Sequence, residues 1–325
     1  LGQTGGPSPR FLGLTAMSEW RAVILRHTPP TEELLGAGQY AIAPAAGSAL
    51  VLFALALLIL GKRVSLPAAA LAMVIGFGVA NYYRGVFPWW PSGANWHWLP
   101  LLFLAAQLDG LLGQSGTPGW GRWRLRLGLG LLAALVLVPP DLHHKWPALM
   151  ATWPYPMQAR FWPLLAFTLA VALGWAGSEA VARQAPGGTV GLGLSLALFG
   201  AGFVMAHAHS ARFADALSIP AAALLGISVV AFFAKVDIGT ALPGVALILP
   251  SILLVGFYET FNDMPWYTFL LAGLPPVTVG LLALPALSRL TNFGRGLAFW
   301  LLCLGPTVAA VIIAVRSESL LSDEW

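Results

Sequence analysis

Charged residues are scarce in this chain. They make up 9% of its 325 residues, against roughly 25% in an ordinary soluble domain, and so few cannot coat a water-soluble body of this size. Cysteine is nearly absent as well. Cys303 stands alone inside an apolar run, which excludes an intramolecular disulfide and any zinc site built on cysteine pairs. The formal net charge of +4 comes from scattered Lys and Arg with no basic run, so nucleic acid is not an expected partner. Alternation of apolar and polar residues is also missing. Residues 49–60 are apolar throughout, whereas a membrane β-barrel needs segments of about ten residues that alternate. Nor is there a signal-peptide core. Residues 18–27 carry Glu19, Arg21 and Arg26 and form at most a short helix with Trp20, Val23 and Ile24 on one face, suited to the headgroup region. The first true span is then expected to direct insertion itself.

What is abundant is apolar sequence: 58% of residues are hydrophobic and the mean hydropathy is +0.77. Apolar runs of about twenty residues recur along the whole length, the pattern of an all-α, polytopic integral membrane protein. Ten spans are expected, near 42–61, 64–83, 98–114, 125–140, 161–181, 189–207, 217–235, 240–258, 266–287 and 296–315. The fourth is short for a bilayer of about 30 Å and suits a re-entrant or shielded helix. The resulting organisation is an N-terminal tail with a short interfacial helix (1–40), a transmembrane bundle (41–316) and a polar C-terminal tail (317–325). Membrane lipid is the one certain partner of such a chain, and a bacterial inner membrane its expected location. A small-molecule solute is a further candidate partner, while no protein partner and no cofactor can be named from the residues.

Cytoplasmic loops hold the excess of Lys and Arg. The odd-numbered connections carry Lys62, Arg63, Arg122, Arg124, Arg126, Arg183, Lys235, Arg289 and Arg295, and the even ones Arg84, Lys145, Arg160 and Arg212. The odd face is therefore assigned to the cytoplasm, which puts both termini outside, against the presence of Arg10, Arg21 and Arg26 near the start. The even connections, 81–98, 141–156 and 257–267, are long, aromatic and stiffened by proline. Trp and Tyr suit membrane interfaces because an apolar ring with one polar handle fits the headgroup zone, and loops of this kind are expected to form an extracytoplasmic cap.

Three groups of residues are candidates for chemistry. Five of the six histidines, His97, His143, His144, His207 and His209, fall at span ends on the even side, joined there by Asp141, Asp215, Glu259 and Asp263. Imidazole with carboxylate can hold zinc, iron or copper, or move protons near neutral pH. No metal-site spacing accompanies them, and there is no His-Glu-x-x-His. His207 and His209 would lie roughly 200° apart on a continuous helix, so they can share a metal only if the helix ends between them. The competing reading is a set of ordinary interfacial histidines.

The second group follows proline. In the last three spans proline stands near mid-depth beside a hydroxyl: Pro250 with Ser251, Pro275 and Pro276 with Thr278, and Pro306 with Thr307. An interior proline removes a backbone donor and pushes away the carbonyl four residues earlier, and broken helices of this kind build binding sites in many transporters. The third candidate is Asp109, which counted from Trp98 lies roughly 17 Å into the membrane. An intramembrane acid is functional by default, and desolvation would make it a proton-coupling group. The alternative is a span that ends at Gly110 or Gly113, leaving Asp109 at the headgroups beside Arg122. Glu179, Arg183, Lys235 and Asp237 read as interfacial ends with snorkelling side chains.

The favoured expectation is a permease moving a small solute, proton-coupled through Asp109, with Ser251, Thr278 and Thr307 along its path. A membrane enzyme or metal or haem protein would use the even-face cluster, and a structural or accessory subunit would use the aromatic loops to dock a partner.

Overall fold

The computed structural model describes residues 35–88, 93–112, 119–138, 156–185, 188–260, 264–284, 287 and 290–322. The tail and interfacial helix before residue 35, the loop bearing His143 and His144, and Asp263 lie outside the described residues. Among those described there is no β-strand. The helices are α1 (Ala43–Leu60), α2 (Ser65–Arg84), α3 (Leu99–Leu112), α4 (Trp120–Leu137), α5 (Pro156–Gln184), α6 (Thr189–His207), α7 (Ala211–Ala234), α8 (Leu242–Glu259), α9 (Trp266–Gly273), α10 (Pro275–Gly280) and α11 (Asn292–Ser322). A π-helical turn, Gly38–Ile42, leads into α1.

The described part of every expected span is largely helical, but not all of these helices are long and apolar enough to cross a membrane. Seven helices are, and α9 with the segment after it, bent by 41°, makes an eighth. The two that fall short are neighbours: α3 has 14 residues, and α4 carries Arg122, Arg124 and Arg126 in its first two turns. At 1.5 Å per residue α3 is about 21 Å long.

Helices are the form these runs must take, because inside hydrocarbon each backbone N–H and C=O has to be satisfied within its own segment. Their ends are set locally. Gly85, at φ 66°, closes α2 by sending its N–H to Asn81 O at 2.8 Å, a left-handed cap for which glycine costs least. Lys62 caps a different helix: its Nζ donates to Ala234 O at 2.7 Å, the last carbonyl of α7.

The bundle is built around α8, of whose 18 residues 13 are buried. It touches α3, α5, α9, α6, α7 and α4 in turn. At the other extreme α1 buries only Ala45, Ala49 and Phe53, a stripe at four-residue spacing that faces α2 and α7, while Leu58 and Ile59 are exposed as suits a lipid-facing side. Small residues let these helices close up. A Cβ on Gly76 would come within 2.9 Å of Ala45 O and Ala49 Cβ, and one on Gly177 within 2.5 Å of Gly280 Cα, where α5 crosses α10. Gly130, Gly191, Gly193, Gly200 and Gly202 also sit at such contacts, whereas Gly128 faces open space.

The order of connections is preserved in space. Odd ones meet odd ones: Lys62 reaches the end of α7, Arg295 bonds Gln184, and Thr240 Oγ1 donates to Leu66 O. Even ones meet even ones: Arg84 pairs with Asp215, and the Trp96 ring stacks edge-on to Phe213 at 5.8 Å. The two ends of the bundle are thus separate chemical faces.

Candidate functional site

Among the described residues the main cluster of buried charge lies at the odd end, opposite His97, His207 and His209. Trp175, Glu179 and Arg183 recur at four-residue spacing on α5, and Arg122 and Arg126 do so on α4, so each set occupies one helix face. The two faces meet because Gly130 lets α4 approach Thr168 of α5, where an added Cβ would come to 3.1 Å from Thr168 O.

Glu179 is the centre. Its Oε1 accepts the Trp175 indole N–H at 2.9 Å and Arg122 Nη2 at 3.1 Å, and its Oε2 accepts Arg126 Nη2 at 2.8 Å and Arg183 Nη2 at 3.3 Å. Arg122 Nη2 also lies 3.5 Å from Asp109 Oδ2. The Arg126 guanidinium is held between rings, 5.5 Å from Trp175 and 5.7 Å from Trp123, where the aromatic faces favour a cation. Three arginines near the start of α4 oppose the positive end of its dipole. Acids from the C-terminal turns of α3 and α5 offset them.

A small cleft, partly open to the outside, lies beside this cluster and is lined by Leu66, Arg122, Glu179, Arg183, Asp237, Gly239 and Thr240. Four odd connections contribute to it. One wall is α4 and α5. The other is the start of α2 with the turn between α7 and α8, which packs on α2, α3, α5 and α8. Asp237 Oδ1 accepts the Gly239 N–H at 2.7 Å and holds that turn. Its neighbour Gly110 has no room for a side chain, since a Cβ would stand 2.6 Å from Thr240 O.

Sequence expectations meet this arrangement unevenly. Asp109 is buried, 4% exposed, and also beside Arg122, so it is an ion-paired carboxylate near a helix end rather than an isolated acid at mid-depth. Glu179 is buried too, which corrects the expectation of a snorkelling interfacial end, and Arg122 and Arg126 reach inward instead of merely marking the cytoplasmic face.

The mid-depth hydroxyls are largely spent on backbone. Ser251 Oγ donates to Leu247 O at 2.7 Å within α8, and Thr278 Oγ1 reaches Leu302 O of α11 at 2.6 Å. Thr307 Oγ1 is buried with no hydrogen-bond partner among the described residues, against Gly200. Interior proline is also more widespread than expected, since Pro163 lies inside α5 and Pro220 inside α7.

On the even face α6 does end at His207, and His209 follows in the left-handed region at φ 57°. That meets the condition for the two to share a ligand. His207 packs on the Phe203 ring at 4.5 Å and His97 on Trp96 at 4.2 Å, while His209 and Glu259 are exposed. Among the described residues no three of His, Cys, Asp or Glu could hold a metal ion. The start of the connection after α2 folds back on that helix: Asn81 Nδ2 donates to Phe87 O at 3.0 Å and Asn81 Oδ1 accepts Phe87 N–H at 2.8 Å. This seats Phe87 against Phe77 and Trp96. Arg212 lies over Trp96 at 5.3 Å.

No family model, curated protein or solved structure matches the chain.

Proposed function

We propose that the chain is a multi-pass membrane permease for a small solute, with the charged cleft at the odd end as the mouth of its path. The observation that carries this reading is the cleft's position: ionisable side chains from α3, α4 and α5 converge beside an opening lined on its other side by the start of α2 and the α7–α8 turn. A bundle surrounded by lipid gains little from burying Asp109, Arg126 and Glu179 for stability alone, since well-packed apolar residues serve as well or better. Ionisable groups inside membrane proteins characteristically line solute or ion pathways.

In this reading all ten helical segments cross, with α3 and α4 as a short pair shielded by α5 and α8. The parity of the later connections does not depend on that, because a pair that only re-enters returns the chain to the same side. The odd face is cytoplasmic by its arginines, and the aromatic loops face the outside of a bacterial inner membrane.

The test is charge movement in proteoliposomes on a solid-supported membrane, with concentration jumps of small anions, cations and zwitterions. A solute-dependent transient absent from empty liposomes and diminished in Glu179→Gln supports the reading. Correctly inserted wild-type protein that gives no transient in any of the three classes, and no counterflow of labelled solute, overturns it.

A further inference from the structure

We infer that the cleft binds a small oxyanion, a carboxylate or phosphate group, through Arg122; this names the solute class for the cleft and so rests on the permease reading. A guanidinium has five N–H donors and no acceptor. In Arg122 a single nitrogen, Nη2, makes all the bonds to Asp109 and Glu179. Nε and Nη1 are buried with no acceptor among the described residues, and Arg126 Nε is in the same condition. Buried donors on a charged group are the costliest to leave unmet, and nearly all such groups in folded proteins have a partner.

No acceptor among the described residues reaches these donors. Glu179 takes bonds from four side chains, and Asp237 Oδ1 holds Gly239 N–H across the cleft. With Asp237 counted, the cleft is close to neutral, so what the site lacks is acceptor atoms more than negative charge. A ligand that brings several oxygens in a small volume supplies them. Planar guanidinium donors match carboxylate and phosphate oxygens in spacing. Arg183, whose side chain is 41% exposed, stands at the mouth as a second guanidinium, and the positive end of the α4 dipole points the same way. Among the described residues no three of His, Cys, Asp or Glu are placed to hold a metal cation there.

The anion can arrive free in solution or as the phosphate of a lipid headgroup, because the cleft opens at a membrane face. The experiment follows thermal unfolding of the purified protein in phosphate-free detergent while titrating inorganic phosphate, acetate or dihexanoyl-phosphatidylglycerol, each against chloride at matched ionic strength. A ligand that binds only the folded state raises the unfolding midpoint in a saturable way. The expected result is such a rise that chloride does not give, retained in Arg84→Gln and lost in Arg122→Gln. Should Arg122→Gln not fold, Arg122→Lys keeps the charge but not the planar donors, and is expected to weaken binding at least tenfold. A rise with phosphate or acetate assigns a free anion, and a rise with the lipid alone assigns a headgroup. No saturable rise with any of the three, or an equal rise in the Arg122 variants, overturns the inference and leaves water as the partner of those donors. Anion binding without solute-dependent current would sink the permease reading alone, and current without anion binding would sink this inference alone.

Discussion

Arg126 Nη2 stands 2.8 Å from Glu179 Oε2, with 1% and 6% of the two side chains exposed. A pair withdrawn this far from water is held by mutual need: the attraction roughly offsets the desolvation of both ions, but removing one partner leaves the other charge buried alone. Glu179 has the larger role because Arg122 and Arg183 share it. Glu179→Ala is expected to cost about 3–5 kcal/mol, read as a lowered midpoint in denaturation of the detergent-solubilised protein. Glu179→Gln should lose less, since it keeps an oxygen for the Trp175 indole. A change within experimental error for Glu179→Ala would mean that the arginines turn outward to solvent.

The even-face ion pair behaves differently. Arg84 and Asp215 meet at 2.5 Å, but the two side chains are 33% and 13% exposed. Solvent screens such a pair, and its coupling should be no more than about 1 kcal/mol. A double-mutant cycle with Arg84→Gln and Asp215→Asn measures it directly. Coupling as large as that of Arg126 with Glu179 would show that the even face is closed to water.

Glycine at the α5–α10 crossing is a matter of space. A Cβ at Gly177 would fall 2.5 Å from Gly280 Cα, and the reverse distance is 2.8 Å. Both obstacles are backbone and cannot swing aside. Gly177→Ala is expected to destabilise the bundle by about 1–3 kcal/mol. Gly128, which faces open space in α4, provides the control: alanine there should be neutral or stabilising by up to about 1 kcal/mol. Equal effects at the two positions would mean that helix propensity, and not the crossing, decides.

The helices were legible because hydropathy marks lipid-embedded segments whatever their partners. Their ends were less so. α7 begins at Ala211, earlier than the apolar run, because Asp215 finds Arg84 and the polar first turn can remain helical. With that extension Pro220 lies inside the helix. α4 likewise begins at Trp120, since its arginines have acids to meet. The charged cluster itself was half visible. Asp109 stood out as an acid in an apolar run, but Glu179 resembled any residue near a helix end until α4 was placed beside it. The four-residue spacing of Trp175, Glu179 and Arg183, matched by Arg122 and Arg126, was the available signal. Which helix faced which could not be read from one chain in order.

The membrane arrangement can be tested with the chain's own cysteine as the blank. Cys303 is fully buried in α11, so a membrane-impermeant maleimide should leave the unaltered protein unlabelled. Cysteine introduced at Arg63, Gly119, Tyr83 or His209, all exposed, then reports one connection each. In sealed vesicles of one orientation, Arg63→Cys and Gly119→Cys should react from one side, and Tyr83→Cys and His209→Cys from the other. Gly119 carries the sharpest information, because it joins the two helices that are too short or too charged to be plain spans. Labelling of Gly119→Cys from the Arg63 side means that the α3–α4 pair reaches through the bilayer, and the count is ten. Labelling from the Tyr83 side means that the pair only dips in, leaving the later connections where they are. Labelling of Arg63→Cys and Tyr83→Cys from the same side would break the alternation itself, and with it the assignment of the charged cleft and the aromatic loops to opposite faces.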